Sequence, residues 1–162
     1  TDAFAKMNAD PEVMKHLPNS LTLQGTKDFI KRLQKHYTER GHTYFATEII
    51  ETGEFIGFIG LAYQEYKTDF TPAVDIGWRF KKSAWGYGYA TEGAKKCLEF
   101  AFNNLNLNRI ISTCTIDNTG SENVMQKIGM TKIKTFKHPS LKEHPSFEEC
   151  ILYQIENNRT LH

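Results

Sequence analysis

The spacing of apolar residues predicts two helices in the first forty residues of the chain. Between Thr22 and Arg40 the apolar positions recur along one helix face, at Phe29, Ile30, Leu33 and Tyr37. Gly41 follows directly, where helices commonly end in a left-handed residue. Residues 1–17 also have a helical pattern, interrupted at Pro11, where a proline can open a second helical turn.

The pattern then changes to short runs rich in β-branched and aromatic residues, which are typical of strands. Predicted strands cover residues 43–50, 55–63, 73–80, 109–116, 130–136 and 149–155, and the turn at 51–54 makes the first two a hairpin. Apolar stripes along 90–105 and 121–128 predict two more helices, the second ended by Gly129. The order α-α-β-β-β-α-β-α-β-β predicts one mixed α/β domain over residues 1–162.

Composition excludes several classes of protein. The 162 residues are 40% hydrophobic and 24% charged, as expected for a soluble globular protein with one core. A net charge of +1 gives no overall field that attracts nucleic acid or an acidic membrane, and no apolar run approaches the ~20 residues of a membrane helix. We therefore predict a cytoplasmic protein without either partner.

Cysteine and histidine usage predicts neither a disulfide nor a metal site. Cys97, Cys114 and Cys150 form an odd set without a CxxC pair, and each lies among apolar residues. This pattern is typical of buried, reduced thiols in a cytosolic protein. The six histidines match no common zinc spacing, so no metal is expected.

Two glycines, Gly86 and Gly88, lie between the third predicted strand and the third predicted helix, in the stretch WGYGYATE. The first N–H groups of a helix have no partner within it, and glycines let an anion approach the backbone closely. The stretch lacks the GxxxxGK[ST] pattern of a P-loop and the third glycine of a dinucleotide fingerprint. By itself, it does not distinguish a phosphate site from a tight turn.

A second stretch, NTGSENVMQKIGM at residues 118–130, follows one helix and one strand later. Together the two stretches resemble the GNAT acetyltransferases, and within them the branch of ribosomal-protein N-terminal acetyltransferases. The family's acetyl-CoA loop, Q/R-x-x-G-x-G/A, is matched at Trp85, Gly88 and Ala90, with Trp85 in place of the usual Gln or Arg. The family's N-x-x-S-x-x-V-x-x-K-x-G-F pattern is matched at Asn118, Ser121, Val124, Lys127 and Gly129. The resemblance covers nearly the whole chain, although the family's first strand would lie upstream of Thr1.

The resemblance implies a GNAT fold, which is a mixed, mostly antiparallel sheet with a central splayed strand pair and helices on both faces. It implies transfer of an acetyl group from acetyl-CoA directly to an amine, either a protein N-terminus or a small-molecule amine. Tyr87 stands where a basic or amide side chain is frequent, so backbone N–H groups are expected to hold the pyrophosphate, with Lys81 and Lys82 nearby. The residues expected to bind acetyl-CoA are Trp78, Phe80, Trp85, Gly86, Tyr87, Gly88, Tyr89, Ala90, Thr91, Asn118, Ser121 and Lys127.

Three residues are candidates for catalysis: Ser121, Asp75 and Glu65. Ser121 is a candidate proton donor to the leaving thiolate, although a serine at this turn equally favours a helix N-cap. Asp75 and Glu65 are candidate general bases, but either carboxylate can simply face solvent. Asp75 also shares a strand face with Arg79 and would suit a cross-strand ion pair.

Weaker candidates and an alternative function accompany these residues. Glu48 is a third candidate base, and Tyr153 is a second candidate proton donor or a core tyrosine. Because the base candidates are weak, a non-catalytic acyl-CoA-binding or interaction module on the same fold is the alternative. The loops at 64–72 and 137–148 are expected to shape the acceptor pocket, and exposed sheet edges favour a homodimer.

Overall fold

Six strands form one sheet in the computed structural model, which describes residues 1–157. The strands are β1 (Tyr44–Glu48), β2 (Phe55–Gln64), β3 (Ala73–Phe80), β4 (Arg109–Thr115), β5 (Thr131–Lys137) and β6 (Glu149–Glu156). The helices are α1 (Asp2–Ala9), α2 (Leu23–Arg40), α3 (Tyr89–Asn103), α4 (Thr119–Lys127) and α5 (Pro145–Glu148). Short 3-10 turns cover Lys82–Ala84 and Pro139–Leu141.

The sheet is antiparallel except at its centre. Its order is β1-β2-β3-β4-β6-β5, and only β3 and β4 are parallel neighbours within residues 1–157. Their ladder consists of the pair Asp75–Ile111, and Ser112 Oγ adds a hydrogen bond of 2.8 Å to the Ile76 carbonyl. Beyond that point β3 pairs with β2 as far as Phe80 but no longer pairs with β4. The wedge-shaped gap that opens between β3 and β4 confirms the splayed strand pair and the mixed α/β fold that the resemblance implies.

Helices cover both faces of the sheet. On one face, α3 packs through Ala94 and Ala101, both fully buried, and α4 packs through Met125 into the same apolar cluster. On the other face, Phe4 of α1 and Phe29 of α2 pack on Phe58 of β2, with ring centroids 5.7 and 5.6 Å away. The two clusters fix β2 and β3 between helices, so the edge of the wedge is held in place.

The segment after α1 departs from the predicted helix. Residues 11–16 form hydrogen-bonded turns, whereas the sequence pattern predicts that Pro11 opens more helix. A proline disfavours helical backbone in the residue before it, and Asp10 is extended, at φ −75° and ψ 117°. The Asp10 carboxylate accepts a hydrogen bond of 2.9 Å from the Glu12 N–H, which stabilises the turn. The predicted interruption at Pro11 was therefore confirmed, the prediction of further helix after it was wrong, and the chain bends here toward the wedge.

Two further predictions about local structure need correction or extension. The predicted loop at 137–148 contains the 3-10 turn Pro139–Leu141 and the short helix α5. The helix predicted to begin at Ser121 begins at Thr119 instead, because Asn118 is its N-cap residue. The expectations of a single domain and of an upstream first strand stay predictions.

Candidate functional site

A cavity of about 800 Å³ lies where β3 and β4 diverge. Its wall includes Trp78 and Phe80 of β3, residues 113–115 of β4, the turns at 12–17, and the start of α3. This volume falls within the range typical of ligand sites. The divergence of two neighbouring strands therefore creates a recess in the middle of the sheet, bordered by unpaired strand edges.

The glycine loop forms one end of this cavity. Gly86 and Gly88 have φ angles of 86° and 78°, in the left-handed region that favours glycine, and a Cβ atom at either position would meet no atom within 4 Å. Gly88 is the N-cap residue of α3, and no side chain caps that helix. The first-turn N–H groups of α3 therefore lack a side-chain partner, beside open space that an anion would occupy.

Trp85 has a structural role that explains its departure from the family pattern. Its indole Nε1 donates a hydrogen bond of 2.9 Å to the carbonyl of Phe80, the last residue of β3. This bond ties the glycine loop to the splayed end of the strand. Tyr87, by contrast, is 70% exposed, stacks on Tyr89 with a centroid distance of 5.6 Å, and does not line the cavity.

The other eleven residues predicted to bind acetyl-CoA line this one cavity. They come from four parts of the chain, namely β3, the glycine loop, α3 and α4, and are Trp78, Phe80, Trp85, Gly86, Gly88, Tyr89, Ala90, Thr91, Asn118, Ser121 and Lys127. Lys81 and Lys82 are not part of its wall, and the Lys81 ammonium pairs with Glu54 instead. The fold thus brings together the two separate sequence motifs.

The start of α4 distinguishes between the two roles considered for Ser121. Asn118 Oδ1 accepts a hydrogen bond of 3.1 Å from the Ser121 N–H, so Asn118 is the capping side chain. The Ser121 hydroxyl has no hydrogen-bond partner among residues 1–157. Its side chain lines the cavity and also a second, adjoining one. The hydroxyl is therefore available at the junction of the two.

The second cavity, of about 230 Å³, continues through the wedge to the opposite face of the sheet. It shares five wall residues with the first cavity: Leu17, Trp78, Arg79, Thr113 and Ser121. Its far wall contains Tyr44 and Phe58, on the face covered by α1 and α2, and also Asp75. Phe58 and Trp78 both border this space.

Asp75 lies in the second cavity, and no ion pair within residues 1–157 includes it, so the alternative of a cross-strand ion pair was wrong. Its carboxylate accepts hydrogen bonds of 2.6 Å from Tyr44 Oη and 3.0 Å from Gln64 Nε2. The tyrosine reaches it because Gly77 has no side chain, and a Cβ there would lie 3.0 Å from Tyr44 Oη. Burial raises the pKa of Asp75 to about 6, although both hydrogen bonds lower it.

The pKa values of Tyr44 and Asp75 make Tyr44 the hydrogen-bond donor of the pair. Burial, followed by the neighbouring Asp75 carboxylate, raises the pKa of Tyr44 well above its ordinary value. The phenol therefore keeps its proton and donates a hydrogen bond to the carboxylate. Near neutral pH Asp75 is largely ionised and retains acceptor capacity for a further proton.

The remaining catalytic candidates lie outside both cavities. Glu65 has a side chain 69% exposed, 3.5 Å from Arg40 Nη2, and Glu48 is exposed at the end of β1. Tyr153 is 2% exposed and donates a hydrogen bond of 2.7 Å to Glu122 Oε2, as a core tyrosine does. The 64–72 loop borders neither cavity, since Tyr66 and Phe70 pack against β4 and β6 instead.

Sequence patterns missed several residues of the cavity walls. The turns at 12–17 and residues 113–115 were not assigned to the site, and Arg79 was noted only for sharing a face with Asp75. His138, Ser140 and Leu141 belong to the 137–148 loop that was expected to shape the acceptor pocket, and they line the first cavity instead of the second. Strand alternation places Arg79 on that face, but only the splay of β3 from β4 makes it a wall residue. Within residues 1–157 no cluster of side chains suits a metal ion, and no helix has the length and apolarity needed to cross a membrane.

Comparison with known proteins identifies the family. Residues 1–131 match the family described as Acetyltransferase (GNAT) domain. The chain is 33% identical over 136 residues to YnaD of Bacillus subtilis, an uncharacterized N-acetyltransferase, covering 83% of this chain and 75% of the relative. It is 29% identical over 159 residues to the FsC-acetyl coenzyme A-N(2)-transacetylase of Aspergillus fumigatus, covering 89% and 63%. The chain therefore belongs to the GNAT acetyltransferase family.

Solved structures agree on the fold. A GNAT-family acetyltransferase from Bacillus anthracis aligns with a TM-score of 0.77 at 28% identity, covering 96% of this chain and 87% of the other. The ribosomal-protein-S5-alanine acetyltransferase of Vibrio fischeri aligns with a TM-score of 0.71 at 18% identity, covering 95% and 87%. At 18% identity, the second comparison supports the fold alone.

Proposed function

We propose that the protein transfers an acetyl group from acetyl-CoA to the nitrogen of an amine. The observation that carries this proposal is the continuity of the two cavities through the wedge between β3 and β4. One cavity ends at a glycine loop and an uncapped helix start, which favour a phosphate group. The other contains a carboxylate with a pKa of about 6. A donor and an acceptor would thus enter from opposite faces and meet inside the sheet.

The residues of the first cavity fit the donor. The first-turn N–H groups of α3 would hold the pyrophosphate, since Gly86 and Gly88 leave the space in front of them open. The unpaired edge of β3 from Trp78 to Phe80 would bind the amides of the pantetheine arm and the thioester oxygen. When bound, acetyl-CoA supplies an activated acetyl thioester.

The protein's own residues would then manage the protons. Asp75 would take a proton from the acceptor ammonium, directly or through one water molecule, which leaves a neutral nucleophilic amine. As the carbon–nitrogen bond forms and the carbon–sulfur bond breaks, the Ser121 hydroxyl would give a proton to the leaving sulfur. The ammonium proton thus ends on Asp75, the second nitrogen proton, which is lost as the amide forms, passes to solvent, and Ser121 recovers its own proton from solvent. Overall, one amide and one thiol form.

The range of acceptors follows from the resemblance. The two motifs favour the branch of ribosomal-protein N-terminal acetyltransferases, so a protein N-terminus is one proposed acceptor and a small-molecule amine is the other. The name of the Aspergillus relative describes acetyl coenzyme A as donor and a nitrogen as acceptor. A non-catalytic acyl-CoA-binding module is the competing function, because the sequence motifs alone would also fit a binder.

The decisive experiment is incubation with acetyl-CoA and a panel of amines and N-terminal peptides, with release of free thiol as the readout. CoA binding is measured in parallel by calorimetry. Thiol release that depends on an added amine supports the proposed function. Tight CoA binding without turnover of any acceptor would favour the binding module, and no CoA binding would contradict both.

Ser121→Ala is expected to lower kcat by about 10- to 100-fold, because the leaving sulfur then lacks its proton donor. Stability should change little, since the side chain that caps α4 is Asn118. Asn118→Ala provides the contrast, with an expected loss of about 1 kcal/mol of unfolding free energy. Steady-state kinetics and thermal unfolding of both variants test this division of roles. A Ser121→Ala variant with unchanged kcat would remove the hydroxyl from the mechanism.

A further inference from the structure

Arg79 is a half-buried cation on the wall of both cavities, and it has no acidic partner in the part of the chain that the structure describes. Its guanidinium makes one hydrogen bond, of 2.8 Å, from Nη1 to Asn8 Oδ1. It also lies over the rings of Phe58 and Phe29, at 5.0 and 5.6 Å from their centroids. None of the ion pairs within residues 1–157 includes it.

Two hydrogen bonds of the buried Asn8 side chain fix the position of this guanidinium. Asn8 of α1 is fully buried, and its Nδ2 donates a hydrogen bond of 3.2 Å to Thr26 Oγ1 of α2, which is also fully buried. The amide orientation that this bond sets leaves Oδ1 directed to Arg79. Two helices therefore hold one cation against the cavity. Such prior ordering lowers the entropy cost of binding a ligand there.

The remaining donors of Arg79 need an acceptor. A guanidinium carries five N–H groups in a planar fork, which matches a carboxylate or phosphate with two parallel hydrogen bonds. Partial removal from water without an anionic partner is costly, and burial lowers the pKa of Arg79 to about 10. An anion that enters with the ligand would offset this cost.

We propose that Arg79 binds a carboxylate group on the acceptor, so that the preferred acceptor is a small amine that also carries a carboxylate, such as an amino acid. This inference rests on the proposed function. Arg79 lies on the same face of β3 as Asp75, four residues away, which corresponds to about 13 Å between their Cα atoms. The second cavity contains both side chains, so the amine would lie near Asp75 and the carboxylate near Arg79.

Other charged groups on the cavity walls are less well placed for this role. Lys15, Lys127 and Glu12 line the first cavity only, and all three are exposed. Glu12 is an acidic residue on the wall of the first cavity, which Arg79 also lines, so a pair between the two is the alternative to be tested. A phosphate of acetyl-CoA is the other source of an anion, and kinetics for the two substrates separate it from an acceptor carboxylate.

The test uses matched amines that differ in one charge. Glycine, β-alanine, 4-aminobutyrate and 6-aminohexanoate are each compared with their carboxamides, at saturating acetyl-CoA, by thiol release. At least one acid is expected to exceed its amide by about 10- to 100-fold in kcat/KM. In Arg79→Met, which keeps the apolar stem, this ratio should fall to near one. Arg79→Lys should give an intermediate ratio, because it retains the charge but loses the fork.

Two controls make the result specific to Arg79. Arg32→Met removes an exposed arginine that lies 5.6 Å from the centroid of the same Phe29 ring but borders neither cavity, and it should keep the wild-type ratio. Glu12→Gln should also keep it, whereas a raised ratio would indicate that Glu12 competes for Arg79 and would overturn the claim of a free cation. Circular dichroism confirms that each variant is folded.

The outcomes separate this inference from the proposed function. If the wild-type protein acetylates acids and amides equally well, the inference fails and the proposed function stands. If Arg79→Met raises the KM for acetyl-CoA and leaves the acid preference intact, the anion belongs to the donor and the inference fails. If no amine of any kind releases thiol, both fail together.

Discussion

Replacement of Asp75 by asparagine is expected to reduce kcat/KM for amine acetylation by about 10²- to 10⁴-fold, the contribution typical of a general base. The carboxylate must be ionised to accept a proton, and burial raises its pKa to about 6. Activity of the wild-type protein should therefore rise with pH through about 6 and level above it, until deprotonation of the amine itself adds a further rise. Asp75→Asn should lose the lower inflection. Steady-state kinetics from pH 5 to 9 measure both effects.

Glu65→Gln is the companion variant, because Glu65 is the other predicted base. Its carboxylate lies outside both cavities and is exposed, 3.5 Å from Arg40, so its replacement should leave the lower inflection in place. In the pH dependence of kcat/KM, Asp75→Asn should therefore lose the lower inflection and Glu65→Gln should keep it. Loss of the inflection in Glu65→Gln, together with its retention in Asp75→Asn, would reverse the assignment of the base.

Gly88→Glu is expected to weaken CoA binding by at least about 100-fold. The substitution places a carboxylate in the open space before the uncapped start of α3, where like charges would repel the pyrophosphate. It also forces a non-glycine residue to φ 78°, which costs about 1–2 kcal/mol of stability. Calorimetric titration with CoA measures the first effect, and thermal unfolding measures the second.

Gly53→Glu is a closely matched control for this substitution. Gly53 has φ 71° in the turn between β1 and β2, and a Cβ there meets no atom within 4 Å. It should lose a similar amount of stability while binding CoA as the wild-type protein does, because it borders neither cavity. Equal loss of CoA binding in both variants would show that backbone strain, and not the site, accounts for the effect.

The sequence predicted most of the fold because its local signals are strong. The apolar stripe at Ala94 and Ala101 and the turn at 51–54 separated helices from strands, and the order of the ten predicted elements was correct apart from the short helix α5 between β5 and β6. It failed after Pro11, where residues 11–16 form turns and not the predicted helix, beyond the extended residue Asp10. The periodicity of side chains carries no information about such a bend.

The site was predictable where it depends on backbone and motif, but not where it depends on tertiary contacts. Gly86, Gly88 and Ser121 were found from two motifs that together resemble the family, and the fold brings them to one cavity. The hydrogen bond from Tyr44 to Asp75 joins residues 31 positions apart, and the bond from Arg79 to Asn8 joins residues 71 apart. Partners at such distances along the chain leave no pattern in a single sequence.

The single ladder pair between β3 and β4 has a mechanical consequence. It leaves the sheet as two three-stranded halves, joined at the centre by Asp75–Ile111 and by the bond from Ser112 to Ile76. A pantetheine arm bound in the wedge would hydrogen-bond along the free edge of β3, much as a seventh strand would. The donor would then join the two halves of the sheet. Amide hydrogen exchange at residues 77–80 should slow sharply when CoA is added, because the bound arm would protect the N–H groups on the free edge of β3.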